Sequence, residues 1–242
     1  MSSPAVPSFG GPLTEADYNR LLGSWITPEL ANDALLRRVS SPEGAQIIGR
    51  RDNGSYSGII FPYVWPGESR CREYWLRRDH PEIERDAQGN PKEKNKYLGP
   101  PGRGNLLYFV PGTPLSLLSD GNVPIAITEG AKKTIALHRL SLHEISDVAR
   151  PRFLPVGLAG VWSFRGVVGK TEGPDGSRRD EKGPIPDLDH LSWEGRRVFI
   201  VYDVNVHINS KVAAARKTLT AELKKRAAQV LWVNLPSREE NH

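Results

Sequence analysis

Two acids in this chain stand where a carboxylate can do more than solvate a surface. Glu129 directly follows the run VPIAIT, and Asp203 ends the run VFIVYD. Each run is short, apolar and bounded by polar or turn residues, which predicts a buried strand. If both strands lie in one parallel sheet, their carboxyl ends open onto a common crevice, where ligands of such sheets gather. Two carboxylates there suit Mg²⁺, which takes one or two acid ligands and fills its other positions with waters and phosphate oxygens. The chemistry would be phosphoryl transfer or hydrolysis, with the metal offsetting charge on phosphate. Each acid also has a plainer role open to it: Glu129 can cap the following helix, and Asp203 can open a turn.

The neighbours of these acids extend the pattern. Gly130 permits a tight passage from strand to helix, and the first amides of that helix are free donors for an anion. Lys132 and Lys133 fall in its first turn, where cations oppose the helix dipole unless an anion is close. Solvated surface lysines are the alternative. Asn205 stands two residues after Asp203, where a second acid would complete an Asp-x-Asp pair. Its amide oxygen can ligate Mg²⁺ but brings no charge.

The elements that must hold these residues alternate from Val123 onward. VPIAIT is a strand and EGAKKTIALHRL a helix. FLPVGLAGV is a second strand, RRVFIVYD a third, SKVAAARKTLTAELKKRAAQ a helix and VLWVNLP a fourth strand. This order predicts an α/β domain over 113–242, a four-stranded parallel sheet flanked by helices. Val212, Ala215, Leu219 and Leu223 form one apolar stripe on the last helix. Residues 165–190, rich in Gly, Pro and charge, read as a loop. Upstream, residues 14–112 read as a helical and antiparallel β-rich subdomain, α+β overall. Two helices begin at Thr14 and Thr27, and short β-prone runs extend from AQIIGRR to NLLYFV, with the polar segment RDHPEIERDAQGNPKEKN as a long loop. Residues 1–13 are expected to be disordered.

Bulk properties bound the function. The chain has 242 residues, a net charge of +5 and a pI near 9.3, compatible with a polyanionic partner. A single cysteine, Cys71, excludes an internal disulfide framework and any multi-cysteine zinc site. No apolar run reaches membrane-spanning length, and the first residues lack a basic stretch followed by an apolar one. The expectation is a cytoplasmic protein with no membrane partner. No Gly-x-Ser-x-Gly or His-Glu-x-x-His pattern occurs, which argues against acyl transfer and zinc proteolysis. Trp162 and Arg165, in GLAGVWSFRG, can stack on a base or simply pack. Asp187, Asp189 and His207 are further polar candidates, for which turn and loop roles are the plainer expectation.

The segments ITEGAKKTIAL and VFIVYDVNV resemble the toprim domain, the metal-binding fold of bacterial primases, topoisomerases and certain nucleases. The likeness is nearest to the toprim-like domains of plasmid, phage and other mobile-element primases and primase-helicases. There TEG-x-KK recurs, as does an acid pair followed by Asn, Val, Ala and Arg, matched here by Asn209, Val212, Ala215 and Arg216. GIIFPY, YWLRRD and NKYLGP stand in the order of the β-rich subdomain that precedes toprim in bacterial primases. The likeness covers most of residues 45–236. It implies primase-like nucleotidyl transfer, DNA-directed primer synthesis on a single-stranded template, with Mg²⁺ (or Mn²⁺) as cofactor. Glu129, Asp203 and Asn205 would hold the metal, and together with Lys133 they form the implied catalytic set. Arg77 (or Arg78), Lys96, Lys132, Lys133 and Arg165 would bind phosphates of single-stranded DNA and nucleoside triphosphates. A toprim nuclease and a catalytically degenerate nucleic-acid-binding module remain alternatives. The chain departs from the pattern in three ways. No zinc ribbon precedes the β-rich part, Asn205 replaces the second Asp, and no Walker loop follows, so a helicase or other replication protein would act in trans.

Overall fold

The computed structural model describes residues 8–51, 53–85, 89–145, 147, 149–173, 176–203 and 209–236. Asn205 and His207 lie outside them. The chain divides into two compact units, residues 1–103 and 104–242.

The first unit opens with α1 (Glu15–Leu22) and α2 (Pro28–Asp33). Thr14 and Asp17 close a capping box on α1, and the Thr27 hydroxyl accepts from the Leu30 amide of α2 at 3.3 Å. β1 (Arg37–Val39) follows, then α3 (Ser41–Ile47). The run AQII, expected as strand, is therefore largely helix. The Glu43 carboxylate accepts from the Ser40 amide at 3.0 Å and its hydroxyl at 2.8 Å, and Pro42 sits in the first turn, so strong helix-start chemistry overrides β propensity. β2 (Gly58–Val64), β3 (Cys71–Arg78) and β6 (Tyr97–Leu98) complete an antiparallel sheet in the order β1-β2-β3-β6. Its core joins Ile60, Leu76 and Leu98 to Ala45 and Ile48 of α3 and its end.

Two further expectations for this unit are corrected. Residues 8–13 are placed: Gly11 and Arg38 exchange backbone bonds of 2.8 and 3.1 Å, Leu13 is buried, and Phe9 meets Tyr74 edge-on. Two apolar anchors outweigh the Ser, Pro and Gly around them. The polar segment read as a loop contains a hairpin, β4 (Glu82–Arg85) with β5 (Pro91–Lys94). It has no buried face, so no hydrophobic alternation advertises it.

Arg38 bridges Asp17 and Asp79. Its Nε lies 2.5 Å from Asp17 and its Nη1 2.6 Å from Asp79. Burial pushes the Asp17 carboxyl up. Hydrogen bonds from Arg38 and from the Thr14 amide and hydroxyl outweigh it and hold the group at about 2, against an ordinary 3.8. The folded value lies below the unfolded one, so the stabilisation is complete above about pH 4 and is lost as pH falls toward 2. After discounting for solvent screening it amounts to about 1–2 kcal/mol. Urea titrations between pH 2 and 6 should show that loss in the wild type and a much smaller one in Asp17→Asn. Equal slopes would remove this account.

The second unit carries the candidate acids. β7 (Leu107–Tyr108), α4 (Ser116–Ser119), β8 (Ile125–Glu129), α5 (Ala131–Ser141) and β9 (Leu154–Leu158) come first. A hairpin, β10 (Arg165–Glu172) with β11 (Arg178–Pro184), and a 3-10 turn (Pro186–His190) follow. β12 (Arg197–Val201), α6 (Ser210–Lys225) and β13 (Gln229–Val233) end the unit. The sheet order is β13-β12-β8-β9-β7, with the first four strands parallel and β7 antiparallel to β9. The parallel sheet is as expected. The pairing of Leu107 with Leu158 and Tyr108 with Gly157 carries NLLYFV into the second unit, so the break lies near residue 103 rather than 112. The stretch read as a loop holds a ribbon, Arg165–Glu172 with Arg178–Pro184, and a 3-10 turn, again without a buried face along the ribbon to signal it.

Helix α5 rests close on the sheet because residue 157 is glycine. A Cβ there would meet Thr134 Oγ1 at 2.4 Å and Tyr108 Cβ at 3.0 Å. On α6, Ala215, Leu219 and Leu223 are buried as the stripe predicts, and Arg216 joins them. Its guanidinium lies 4.0 Å from the Trp232 ring centroid, a cation–π contact that lets a charged group face the sheet. Arg196 is wholly buried, and its guanidinium is spent on backbone carbonyls. Its Nε donates to the Val123 carbonyl at 2.7 Å, Nη1 to Leu118 at 2.9 Å and Nη2 to Leu117 at 2.8 Å. It thereby satisfies carbonyls at the end of α4 and ties them to the start of β8. Burial pushes its pKa down to about 10, partly countered by Asp120, so the group stays charged at neutral pH.

Candidate functional site

β8 lies between β9 and β12, with Thr128 level with Val201 and Glu129 level with Leu158. Glu129 is the last residue of β8, and Asp203 lies two residues past the end of its neighbour β12. Parallel pairing of adjacent strands therefore brings both acids to one carboxyl edge. Gly130, at φ 88°, turns the chain from β8 into α5, and its amide donates to the Leu158 carbonyl at 2.6 Å. A residue with a Cβ would be strained in that conformation although nothing crowds it.

This turn sets Lys133 one helical turn from the strand end. Its Nζ lies 2.5 Å from Asp203 Oδ2, with both side chains a little under half exposed. Asp203 is thus the anion that makes a cation tolerable at the start of α5. Glu129 is half-buried. Burial pushes its carboxyl up, the Lys133 charge partly draws it down, and the Asp203 charge pushes it up again. The three groups form one electrostatic unit in which two carboxylates share a single ammonium. Lys132 is half-buried beside Lys133, with contacts of its own.

Tyr202 supports the edge from beneath. It is buried, and its hydroxyl donates to the Val161 carbonyl at 3.2 Å, which ties the turn after β9 to the residue before Asp203. Burial pushes its phenol up, the Glu129 charge adds to that, and Arg216 opposes it. Asn209 caps α6, its side-chain oxygen accepting from the Lys211 amide at 3.0 Å. Tyr202 and the buried Arg216 were assigned no chemistry from sequence. The structure sets Tyr202 within reach of the Glu129 charge and Arg216 within reach of Tyr202.

The remaining sequence candidates separate. Trp162 is two-fifths exposed and stacks on the buried Phe164 at 6.0 Å and 23°. Arg165 is exposed at the start of β10, its carbonyl accepting from Asn105 Nδ2 at 2.9 Å. Asp187 is buried and accepts from the Leu107 amide at 2.8 Å, and Asp189 pairs with Arg226 at 2.6 Å, so both are structural. Arg77 and Lys96 belong to the first unit. Arg78 is consumed by the fold there: it pairs with Glu82, donates to the Ser55 carbonyl at 2.6 Å and covers the Tyr56 ring. Arg77 is half-buried opposite Tyr97, and its Nη1 has no hydrogen-bond partner. Lys96 pairs with Glu93.

Residues 116–241 match the family model described as "Domain of unknown function (DUF3854)", just over half of the chain. The chain belongs to this family. No curated protein and no solved structure matches it. The DUF3854 match begins at the first residue of α4 and includes Glu129, Lys133 and Asp203, while Arg77 and Lys96 lie outside it.

The DUF3854 edge offers hard oxygen donors. Among the described residues no group of three or more His, Cys, Asp or Glu side chains converges on one point. Two carboxylates, one half-buried and charge-coupled to the other, are what a Mg²⁺ ion shared with phosphate requires, whereas a cage built from protein alone would need more. Glu129 and Asp203 are the oxygen donors that this edge could offer to Mg²⁺ or Mn²⁺.

Proposed function

We propose that this protein is a toprim-like, Mg²⁺-dependent nucleic-acid enzyme of a mobile-element replication system, with primase-like nucleotidyl transfer on a single-stranded template. The observation that carries this reading is the meeting of Glu129, Asp203 and Lys133 at the carboxyl edge of adjacent parallel strands. The order β13-β12-β8-β9, with acids after the first and third of these strands in sequence, supports the toprim resemblance. Bound Mg²⁺ would neutralise phosphate oxygens and activate the attacking hydroxyl. Glu129 and Asp203 orient that charge. Lys133 and Lys132 are assigned to non-bridging oxygens at the start of α5, where the helix dipole adds to the attraction. Arg77 and Lys96, in the first unit, are assigned to nucleic-acid or nucleotide phosphates. A helicase or other replication protein is the expected partner.

Labelled single-stranded DNA with nucleoside triphosphates and Mg²⁺ or Mn²⁺ tests the reading. Extension supports primer synthesis. Shortening without triphosphates would instead make the same edge a nuclease, and binding without turnover would make it a degenerate module.

Lys133 has a distinctive expected behaviour. Lys133→Met removes the ammonium that competes for Asp203, so metal alone should bind several-fold more tightly by calorimetry. Turnover should nevertheless fall at least tenfold, because a phosphate contact is lost. Weaker metal binding in this variant would mean that Lys133 organises the acids rather than competing for them.

A further inference from the structure

We propose that Trp162 and one face of the β10–β11 ribbon form a binding arm for single-stranded nucleic acid, leading to the Glu129–Asp203 edge. The inference rests on the function proposed above and names the element that would take hold of its substrate.

The ribbon grows from the carboxyl edge of the sheet. β9 ends at Leu158, level with Glu129, and the turn that follows is tied by its Val161 carbonyl to Tyr202, the residue before Asp203. Trp162 comes next in that turn. Its ring is backed by buried Phe164 and stays two-fifths exposed. An aromatic ring held on one side and open on the other is a stacking platform, and it accepts any base. The ribbon base is fixed by Asn105 on the Arg165 carbonyl at 2.9 Å and by the Ile185 amide on the Phe164 carbonyl at 3.0 Å.

The strands themselves lack any buried residue. Packing therefore does not explain their composition. Their register does sort the charges. Arg165 faces Pro184, Val167 faces Lys182, Lys170 faces Asp180 and Glu172 faces Arg178, with the register shift falling between Val167 and Gly169. Residues directly opposite share a face, and the shift keeps Val167 and Lys170 on the same one. That face carries Arg165, Lys170, Arg178 and Lys182 against Asp180 and Glu172. The other face carries Arg179 against Glu181, with Thr171, Gly166, Gly169 and Gly183. Four of the five cations of the two strands thus lie along one side of a projection roughly 25 Å long at ~3.3 Å per residue, a net +2 there because Lys170 and Arg178 stand opposite Asp180 and Glu172. They begin at Arg165, three residues from the Trp162 platform. A basic track beside an exposed aromatic is the chemistry of sequence-tolerant single-strand binding.

Fluorescence anisotropy with labelled oligo-dT, in EDTA so that no turnover intervenes, tests the arm on the full chain. Trp162→Ala should weaken binding about tenfold or more, and Trp162→Phe should restore most of it. Lys170→Glu combined with Lys182→Glu should weaken binding and flatten the plot of log affinity against log salt by about 1–2 units, at ~0.7 per phosphate contact. Thermal melts matching wild type show that these exposed substitutions leave the fold intact. Ribbon variants that bind within twofold of wild type would overturn the arm, while Mg²⁺-dependent turnover by the same protein would leave the function standing. A wild type that prefers duplex over single strand would also overturn the arm. No binding by the wild type would end the arm and the primase-like reading together. Arm-dependent binding with no turnover under any metal would keep the arm and end the enzymatic reading.

Discussion

Asp203→Asn should reduce Mg²⁺-dependent turnover on nucleic acid by about 100-fold or more, and Glu129→Gln should do the same. Both substitutions keep shape and remove one negative charge from the edge that we propose holds a dication. The two variants should part company in stability. Burial and the Asp203 charge push the Glu129 carboxyl up, so its ionised form opposes folding at neutral pH in metal-free solution. Its folded-state value lies above the unfolded one, so the cost is present above the folded value and is relieved as pH falls through it. Glu129→Gln should therefore melt at or above the wild-type temperature at pH 7.5 and lose the wild-type gain on mild acidification. Asp203→Asn gives up only the half-exposed bond to Lys133, worth up to about 1 kcal/mol. Added Mg²⁺ should raise the wild-type melting temperature and leave both variants unmoved. A wild type indifferent to Mg²⁺ in melts and in turnover would remove the metal assignment. This pairing of lost activity with retained or improved stability is expected where like charges are held together for function.

Arg196→Met should destabilise the second unit by about 3 kcal/mol, a fall of roughly 10 °C in melting temperature. Methionine fills similar volume, so the loss is one of hydrogen bonding. The carbonyls of Leu117, Leu118 and Val123 lose donors at 2.8, 2.9 and 2.7 Å in a buried site that the variant cannot reseal. Part of the cost is returned because a desolvated cation leaves the core. Arg196→Lys should recover little, since a single ammonium cannot reproduce the three-way fork. Differential scanning calorimetry checks both variants. A shift below about 2 °C for Arg196→Met would mean that α4 finds other donors.

The strand–helix alternation from Val123 onward, the parallel strands, the capped helix α1, the helix α6 and the capped start of α2 were legible in the sequence. Each follows from local periodicity and end chemistry that tertiary context leaves alone: Thr14 with Asp17, Thr27 before Pro28, and the stripe through Ala215, Leu219 and Leu223. The end of α2 was not: TPELANDALLRRV reads as helix to Val39, whereas α2 ends at Asp33 and Arg37–Val39 is strand. The placing of acids at strand ends was equally local. What packing decided was which residues meet. The pairing of β12 with β8 sets Asp203 beside Glu129, and the glycine turn at 130 delivers Lys133 to both. Sequence separation of 70 residues hides that contact. The two solvent-exposed hairpins, β4–β5 and β10–β11, were invisible for a different reason. Strands with no buried face carry no alternation, so their hydrogen-bond ladders form without a hydrophobic signature. Arg78 and Arg196 show the limit most sharply. An arginine in a sequence reads as a surface or phosphate-binding cation, and only the tertiary structure surrounds these two with carbonyls, an aromatic ring or an acid, because desolvation and its compensation are properties of the packed neighbourhood rather than of the residue.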